Sequence, residues 1–157
     1  MGIDYSSTCA HQRRVLAGLG FVLTAVLTCP GPASAETYLV NNQDAYKKAL
    51  RKVEPGDKLV LANGVWRDFE IVFEGYGEKG KPISLMAETP GAVVLSGQSN
   101  LRIAGEFLEV SGLVFKNGFT PTSEVISYRI DTDNVANNSR VTQVVIDNFN
   151  QPERQEV

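Results

Sequence analysis

The sequence predicts an all-β fold of stacked repeats, a β-solenoid, with one amphipathic helix near its start. Three observations carry this. Residues 101–118, LRIAGEFLEVSGLVFKNG, alternate apolar and polar positions in short runs interrupted at Gly105 and Gly112. They read as two short strands with Leu101/Ile103, Leu108/Val110 and Leu113/Phe115 facing inward, and the glycines give the backbone freedom that a sharp corner needs. The pattern also recurs, because Leu59-Val60-Leu61, Ile83-Ser84-Leu85, Leu108-Glu109-Val110 and Val141-Thr142-Gln143 start 24, 25 and 33 residues apart. A companion set follows: Phe69/Ile71/Phe73, Val93/Leu95, Leu113/Phe115 and Val144/Ile146. Self-similarity over a few tens of residues marks a stacked repeat. Regularly spaced strands also suit a β-sandwich, and pattern alone leaves both arrangements open.

Residues 1–35 read as a signal peptide. Arg13-Arg14 precede the uncharged run 15–29, and Ala33-Ser34-Ala35 supplies small residues for cleavage between Ala35 and Glu36. The apolar run is short for a membrane span, which needs about 20 residues. Sec export to the periplasm or outside is the expectation, ahead of the twin-arginine route or lipidation at Cys29, where Leu27 and Thr28 are bulky. Removing the leader leaves 122 residues, and Cys9, Cys29 and His11 go with it. Without cysteine or histidine the mature chain has no disulfide, no thiol nucleophile, no serine-hydrolase triad and no zinc site of the usual kind. Its formal charge becomes −4. An acidic domain with no basic cluster argues against nucleic acid, yet a local cationic patch can hold a polyanionic sugar.

The mature domain, 36–157, opens with a short strand, Tyr38-Leu39-Val40. Asn42 is a suitable N-cap, and 43–53 carries Ala45, Tyr46, Ala49, Leu50 and Val53 on one helical face. Lys47, Lys48, Arg51 and Lys52 form a solvated face, the late ones suiting the helix dipole. Glu54-Pro55-Gly56 stops the helix. Residues 57–66 open the first coil with a turn at Asn63-Gly64, and 67–73 alternate with Phe69, Ile71 and Phe73 inward. A Gly-rich charged loop spans 74–81. The second coil is 83–87 and 92–96, the third is 101–118, and the fourth is 139–149. Residues 119–138 lack periodicity and read as an insertion. A solenoid's first coil exposes an apolar cross-section and open strand edges, which the helix is suited to cap. No comparable cap follows Phe149, so the chain is expected to be the first few coils of a longer protein.

The helix followed by PGDKLVLANGVWRDFEIVFEG, GKPISLMAETPGAVVLSG and LRIAGEFLEVSGLVFKNG resembles the N-terminal part of polysaccharide lyase family 6, which includes alginate lyases and chondroitinase B. VVIDNFNQPER is similar to the family's next coils, so the resemblance runs over 36–154. It implies a right-handed parallel β-helix and a secreted or periplasmic monomer that cleaves alginate or a glycosaminoglycan by β-elimination. It also implies a calcium ion that neutralises the uronate carboxylate, a lysine that removes the C5 proton and an arginine near the leaving oxygen. Preorganised cations at that carboxylate lower the barrier, and no histidine is required. No residue here corresponds to the family's calcium ligands or its lysine–arginine pair, which are expected downstream of Val157. A non-catalytic glycan-binding or adhesin solenoid is the alternative.

Several residues invite a role. Lys116, Arg140 and Arg154 are the candidates for touching a sugar carboxylate, beside their plainer reading as solvated charge. Asn117 and Asn148 end equivalent strands and suggest an internal asparagine ladder. Trp66 and Tyr76 could stack on sugar rings, with core or loop packing as the simpler account. Asp131-Thr132-Asp133-Asn134 has calcium-loop spacing, but Val135 and Ala136 break the pattern, which leaves a polar loop. The acid pairs Asp131/Asp133 and Asp147/Glu153 carry no sign of a glycosidase dyad beyond their residue type.

Overall fold

A strand that alternates inward and outward residues buries one face only, so short strands must wind until their inward rows meet. The computed structural model describes residues 35–149, and these wind as a parallel β-helix. Residues 1–34 of the expected leader lie outside the described residues, whereas Ala35 and Glu36 lie within them. The chain begins with β1 (Thr37–Val40) and α1 (Gln43–Leu50). The first coil is β2 (Lys58–Leu61), β3 (Gly64–Arg67) and β4 (Glu70–Tyr76). The second is β5 (Ile83–Ala87), β6 (Val93–Gln98) and β7 (Asn100–Glu106). The third is β8 (Leu108–Ser111) and β9 (Leu113–Phe119) with two short strands, β10 (Ile126–Ser127) and β11 (Ala136–Asn137). Next come β12 (Arg140–Thr142) and β13 (Val145–Phe149). No described helix is long and apolar enough to cross a membrane.

Three sheets result. The first runs β1-β2-β5-β8-β12, the second β3-β6-β9-β13, and the third joins β4, β10 and β11 to β7. Every pairing between these strands is parallel, which sets aside the β-sandwich, whose sheets are antiparallel. Leu59, Leu85, Val110 and Val141 stack in one inward column, at intervals of 26, 25 and 31 residues. The repeat is therefore real but its register differs from the sequence reading, since Leu85 rather than Ile83 lies on Leu59. Trp66, Leu95, Phe115 and Ile146 form the second column. Ile71 and Phe73 belong to the third sheet, where Ile71 lies on Leu101 and Phe73 on Ile103, and Phe69 sits in the corner just before it. The sequence hid this because β3 turns only Trp66 inward, too short a run to show alternation.

Residues 101–118 contribute to three strands, not two. The corner between β7 and β8 is Phe107, with φ 51°, while Gly105 sits inside β7. A Cβ there, at φ 109°, would fall onto the Gly75 carbonyl, so this glycine permits rungs to approach rather than the chain to bend. The stretch 119–138 is only partly an insertion. Its β10 pairs with Leu101 and Arg102, and its β11 with Gly105 and Glu106, so 128–135 alone leaves the third sheet.

The helix starts as expected, with the Asn42 side chain accepting from the Ala45 N–H at 2.8 Å. It ends at Leu50 instead of Val53. The Lys52 N–H turns to the Ala49 carbonyl (2.8 Å), and Pro55 disfavours α geometry at Glu54. Tyr46 and Ala49 are buried. Tyr46 meets Phe69 edge-on with ring centres 5.3 Å apart, and Phe69 stacks on Trp66 at the same distance. Burial pushes the Tyr46 hydroxyl up from its usual range, so it stays a neutral donor and gives its proton to the Val72 carbonyl (2.9 Å). Replacing Tyr46 by Phe leaves that partly buried carbonyl without its donor. Urea denaturation should show a loss of about 1–2 kcal/mol, and a clearly smaller one for Tyr38→Phe, whose hydroxyl bonds an exposed carboxylate.

Candidate functional site

In-register parallel rungs place outward side chains of successive coils directly over one another, and this decides what the candidate residues touch. Lys116 on β9 stacks with Asp147 on β13, and its Nζ lies 2.7 Å from Asp147 Oδ2. Arg140 on β12 stacks with Glu109 on β8, with Nη2 2.8 Å from Glu109 Oε1. Lys116 stands on the second sheet and Arg140 on the first, so the fold does not bring these two cations to one site. Each is paired with a carboxylate of the neighbouring rung. Arg154 lies outside the described residues.

Asn117 and Asn148 do meet, Asn148 Nδ2 donating to Asn117 Oδ1 at 3.3 Å. The pair is exposed, on the outer surface and not inside the coil as the sequence suggested. Both residues have positive φ (54° and 47°), the left-handed bend that asparagine tolerates and that breaks the in-out alternation. Trp66 is buried, stacked on Phe69, and donates its indole N–H to the Ala62 carbonyl (3.0 Å), so it offers no face to a sugar. Tyr76 is 66% exposed and borders a shallow cleft with Glu106, Asp133 and Asn137. In the polar loop, Asp131 accepts from the Asp133 and Asn134 N–H groups and from Asn134 Nδ2. The bond from the Asn134 backbone, with the others, holds its carboxyl below the usual carboxylate range.

The sequence reading missed a different group. On the outer face of β7, under the loop 120–132, lies a cavity of about 250 Å³ lined by Arg102, Ser123, Glu124, Ser127, Arg129 and Thr132, among others. Arg102 Nη2 is 3.8 Å from Glu70 Oε2, and Arg129 Nη2 is 3.6 Å from Glu124 Oε1, both long for charge-assisted hydrogen bonds. Arg102 Nε and Asn100 Oδ1 are enclosed with no hydrogen-bond partner. The Asn100 amide nitrogen reaches Thr122 Oγ1 at 3.2 Å, which ties the loop to the sheet. Two guanidinium groups beside hydroxyls can hold a carboxylate or another oxyanion, with Glu124 and Asp131 in the same lining offsetting part of their charge. In the sequence Arg102 looks like any outward strand residue, and only the pairing of β10 with β7 shows what covers it.

A family model described as chondroitinase B matches residues 40–157. Among solved structures, the polysaccharide lyase family 6 alginate lyase AlyGC is 60% identical to this chain over 76% of it, with a TM-score of 0.74. A mannuronic acid specific family 6 lyase from human gut microbiota is 35% identical over 77% of the chain, with a TM-score of 0.69. A family 6 polysaccharide lyase from Pseudopedobacter saltans is 31% identical over 69%, with a TM-score of 0.62. The chain spans 16%, 28% and 24% of those proteins' lengths. No curated protein matches it at a significant level.

The cross-rung ion pairs are exposed, and such pairs contribute about 0–1 kcal/mol. Lys116→Ala and Arg140→Ala should each lower stability by no more than about 1 kcal/mol in dilute buffer. The loss should shrink as salt screens the pairs, which denaturation at two ionic strengths would read.

Proposed function

The chain belongs to the chondroitinase B family, the group that holds the polysaccharide lyase family 6 alginate lyases, and on that premise we propose that it is the N-terminal portion of a lyase cleaving alginate by β-elimination. The observation that carries this reading is the 60% identity to an alginate lyase along three-quarters of this chain. Elimination removes the proton α to a uronate carboxylate and expels the oxygen at the neighbouring carbon, so its barrier falls where cations meet that carboxylate. Within this reading the chain supplies the cap and first coils, and the reacting groups come from coils beyond Val157. In support, Lys116 and Arg140 are each taken up by a carboxylate and stand on different sheets.

The calcium ion that the family implies finds no fitting donor set among the described residues. Asp131, in the one segment with calcium-loop spacing, already gives both its oxygens to Asp133 and Asn134. Export by a Sec leader to the periplasm or the medium belongs to the same reading.

The Arg102–Arg129 cavity has the chemistry to hold one uronate carboxylate of the bound chain. Incubating the 157-residue protein with alginate should give no ultraviolet absorbance from unsaturated ends, whereas a product continued through further coils should. Turnover by the 157-residue chain would refute the assignment of the reacting groups. Titration with alginate oligosaccharides should detect binding that falls at least about tenfold in Arg102→Gln, the order expected for a charge-assisted contact. A neutral oligosaccharide should not bind.

A further inference from the structure

We infer that Glu36 is the first residue of the processed protein and that its free α-ammonium is clamped by the buried carboxylate of Asp57. The Glu36 backbone nitrogen donates to Asp57 Oδ1 at 2.7 Å, and the Glu54 N–H donates to Asp57 Oδ2 at 2.8 Å. Asp57 is only 5% exposed. Among the described residues, no lysine or arginine forms an ion pair with it. Two backbone N–H groups hold this carboxylate, a buried charge is best met by an opposite one, and the nitrogen of Glu36 is already at the place where a cation would sit. The surroundings carry the same sign. The Tyr38 hydroxyl is pushed up to about 12, first by its bond to Glu36, then by desolvation, and further by the charges of Glu36, Asp57 and Glu54.

Two independent features put the chain end there. In sequence, Ala33-Ser34-Ala35 presents small residues immediately before Glu36, and Ala35 is exposed. In the fold, Glu36 is where tertiary bonding begins. Its carbonyl accepts from the Lys58 N–H at 2.8 Å, and β1 starts at the next residue, pairing with β2 from Thr37 onward. Hydrolysis of the Ala35–Glu36 peptide bond by one water leaves a carboxylate on Ala35 and an amine on Glu36, which is protonated at neutral pH. An amide N–H at Asp57 thereby becomes an ammonium, which adds the attraction of a full opposite charge to the hydrogen bond already made. Removal of the leader would then tighten β1 over the open edge of β2. The inference does not depend on the lyase reading.

The sign of its pH dependence follows from linkage. An α-ammonium beside a carboxylate has a folded pKa above its unfolded value of about 7.7–8.0. Its stabilisation is therefore complete below that value and is lost as pH rises through the folded pKa. The charged and titratable groups around it are Glu36 and Tyr38, and Glu54 and Asp57 in the turn after α1; Lys58 on β2 bonds the Glu36 carbonyl through its backbone, and Lys81 packs against Gly56. Tyr38 titrates above the window of interest.

The test is to express the whole 157-residue chain with its leader in an exporting bacterium, and to weigh the exported protein intact. Glu36 should be the first residue. The melting temperature of that protein should fall as pH rises from about 7 to 10. The fall should be largely missing in Asp57→Asn and in a form extended by one serine before Glu36, which restores a neutral amide at Asp57 without touching the fold. An amino terminus elsewhere, or the same pH dependence in the extended form, would overturn the inference.

Discussion

A parallel β-helix has an end problem that other β folds avoid. Its first coil presents three strands whose outer N–H and C=O groups have no neighbour, around an apolar cross-section that would face water. Each edge is met differently here. In the first sheet β1 lies beside β2 and adds a rung. In the second, Gln43 Nε2 donates to the Arg67 and Asp68 carbonyls, each at 3.2 Å. In the third, the Tyr46 hydroxyl bonds the Val72 carbonyl. The cross-section is closed by Tyr46 and Ala49 above Phe69 and Trp66. Helix α1 therefore acts through two named side chains and one face, and its eight residues suffice because tertiary packing, not propensity, holds it.

Beyond the cap, corners set the shape. Asp68, Phe107, Asn117, Asn138, Gln143 and Asn148 all take positive φ, a conformation that side chains other than glycine adopt at some cost. Phe107 is the least expected of these. Its carbonyl accepts from the Ile83 N–H (3.1 Å) and its own N–H reaches the Asn137 carbonyl (3.1 Å), so the corner is tied to the coils on both sides. Coil length can then vary without disturbing the stack. The interval in the first column grows from 25 to 31 residues when the third coil gains its loop, and the extra residues leave the third sheet after Ser127 and return at Ala136.

How much of this the sequence discloses depends on run length. Where two or more inward residues alternate, as at Leu59/Leu61 or Leu113/Phe115, strand and facing are plain. Where a strand turns in only one residue (Trp66) or has only two residues (Ile126–Ser127), tertiary pairing creates it and local pattern cannot. Register is a further step, because Ile83 and Leu85 are equally apolar and only the coil's path decides which lies on Leu59. The site was less legible still. Lys116 and Arg140 stand out in the sequence only by residue type, and their partners lie 31 residues away in the adjacent rung. Arg102 and Arg129 meet at one cavity because the loop folds back on β7, a juxtaposition with no local signature.

The stacking that makes the fold also sorts its charges. Outward residues of successive rungs stand about 4.8 Å apart, close enough for opposite charges to pair and for like charges to repel. Lys116 over Asp147 and Arg140 over Glu109 follow that rule and leave little net field on their sheets. Columns neutralised in this way attract a polyanion only weakly. Arg102 departs from the pattern. Its register neighbours on the third sheet are Val72 and Ser127, neither of them an acid, and its contact to Glu70 is diagonal and long. The loop then adds a second guanidinium, Arg129, which stays exposed, while Arg102 beneath it is partly buried and so less screened by solvent. A cation becomes available to a ligand here because its own rung neighbours cannot neutralise it, and that is a property of register, not of arginine content.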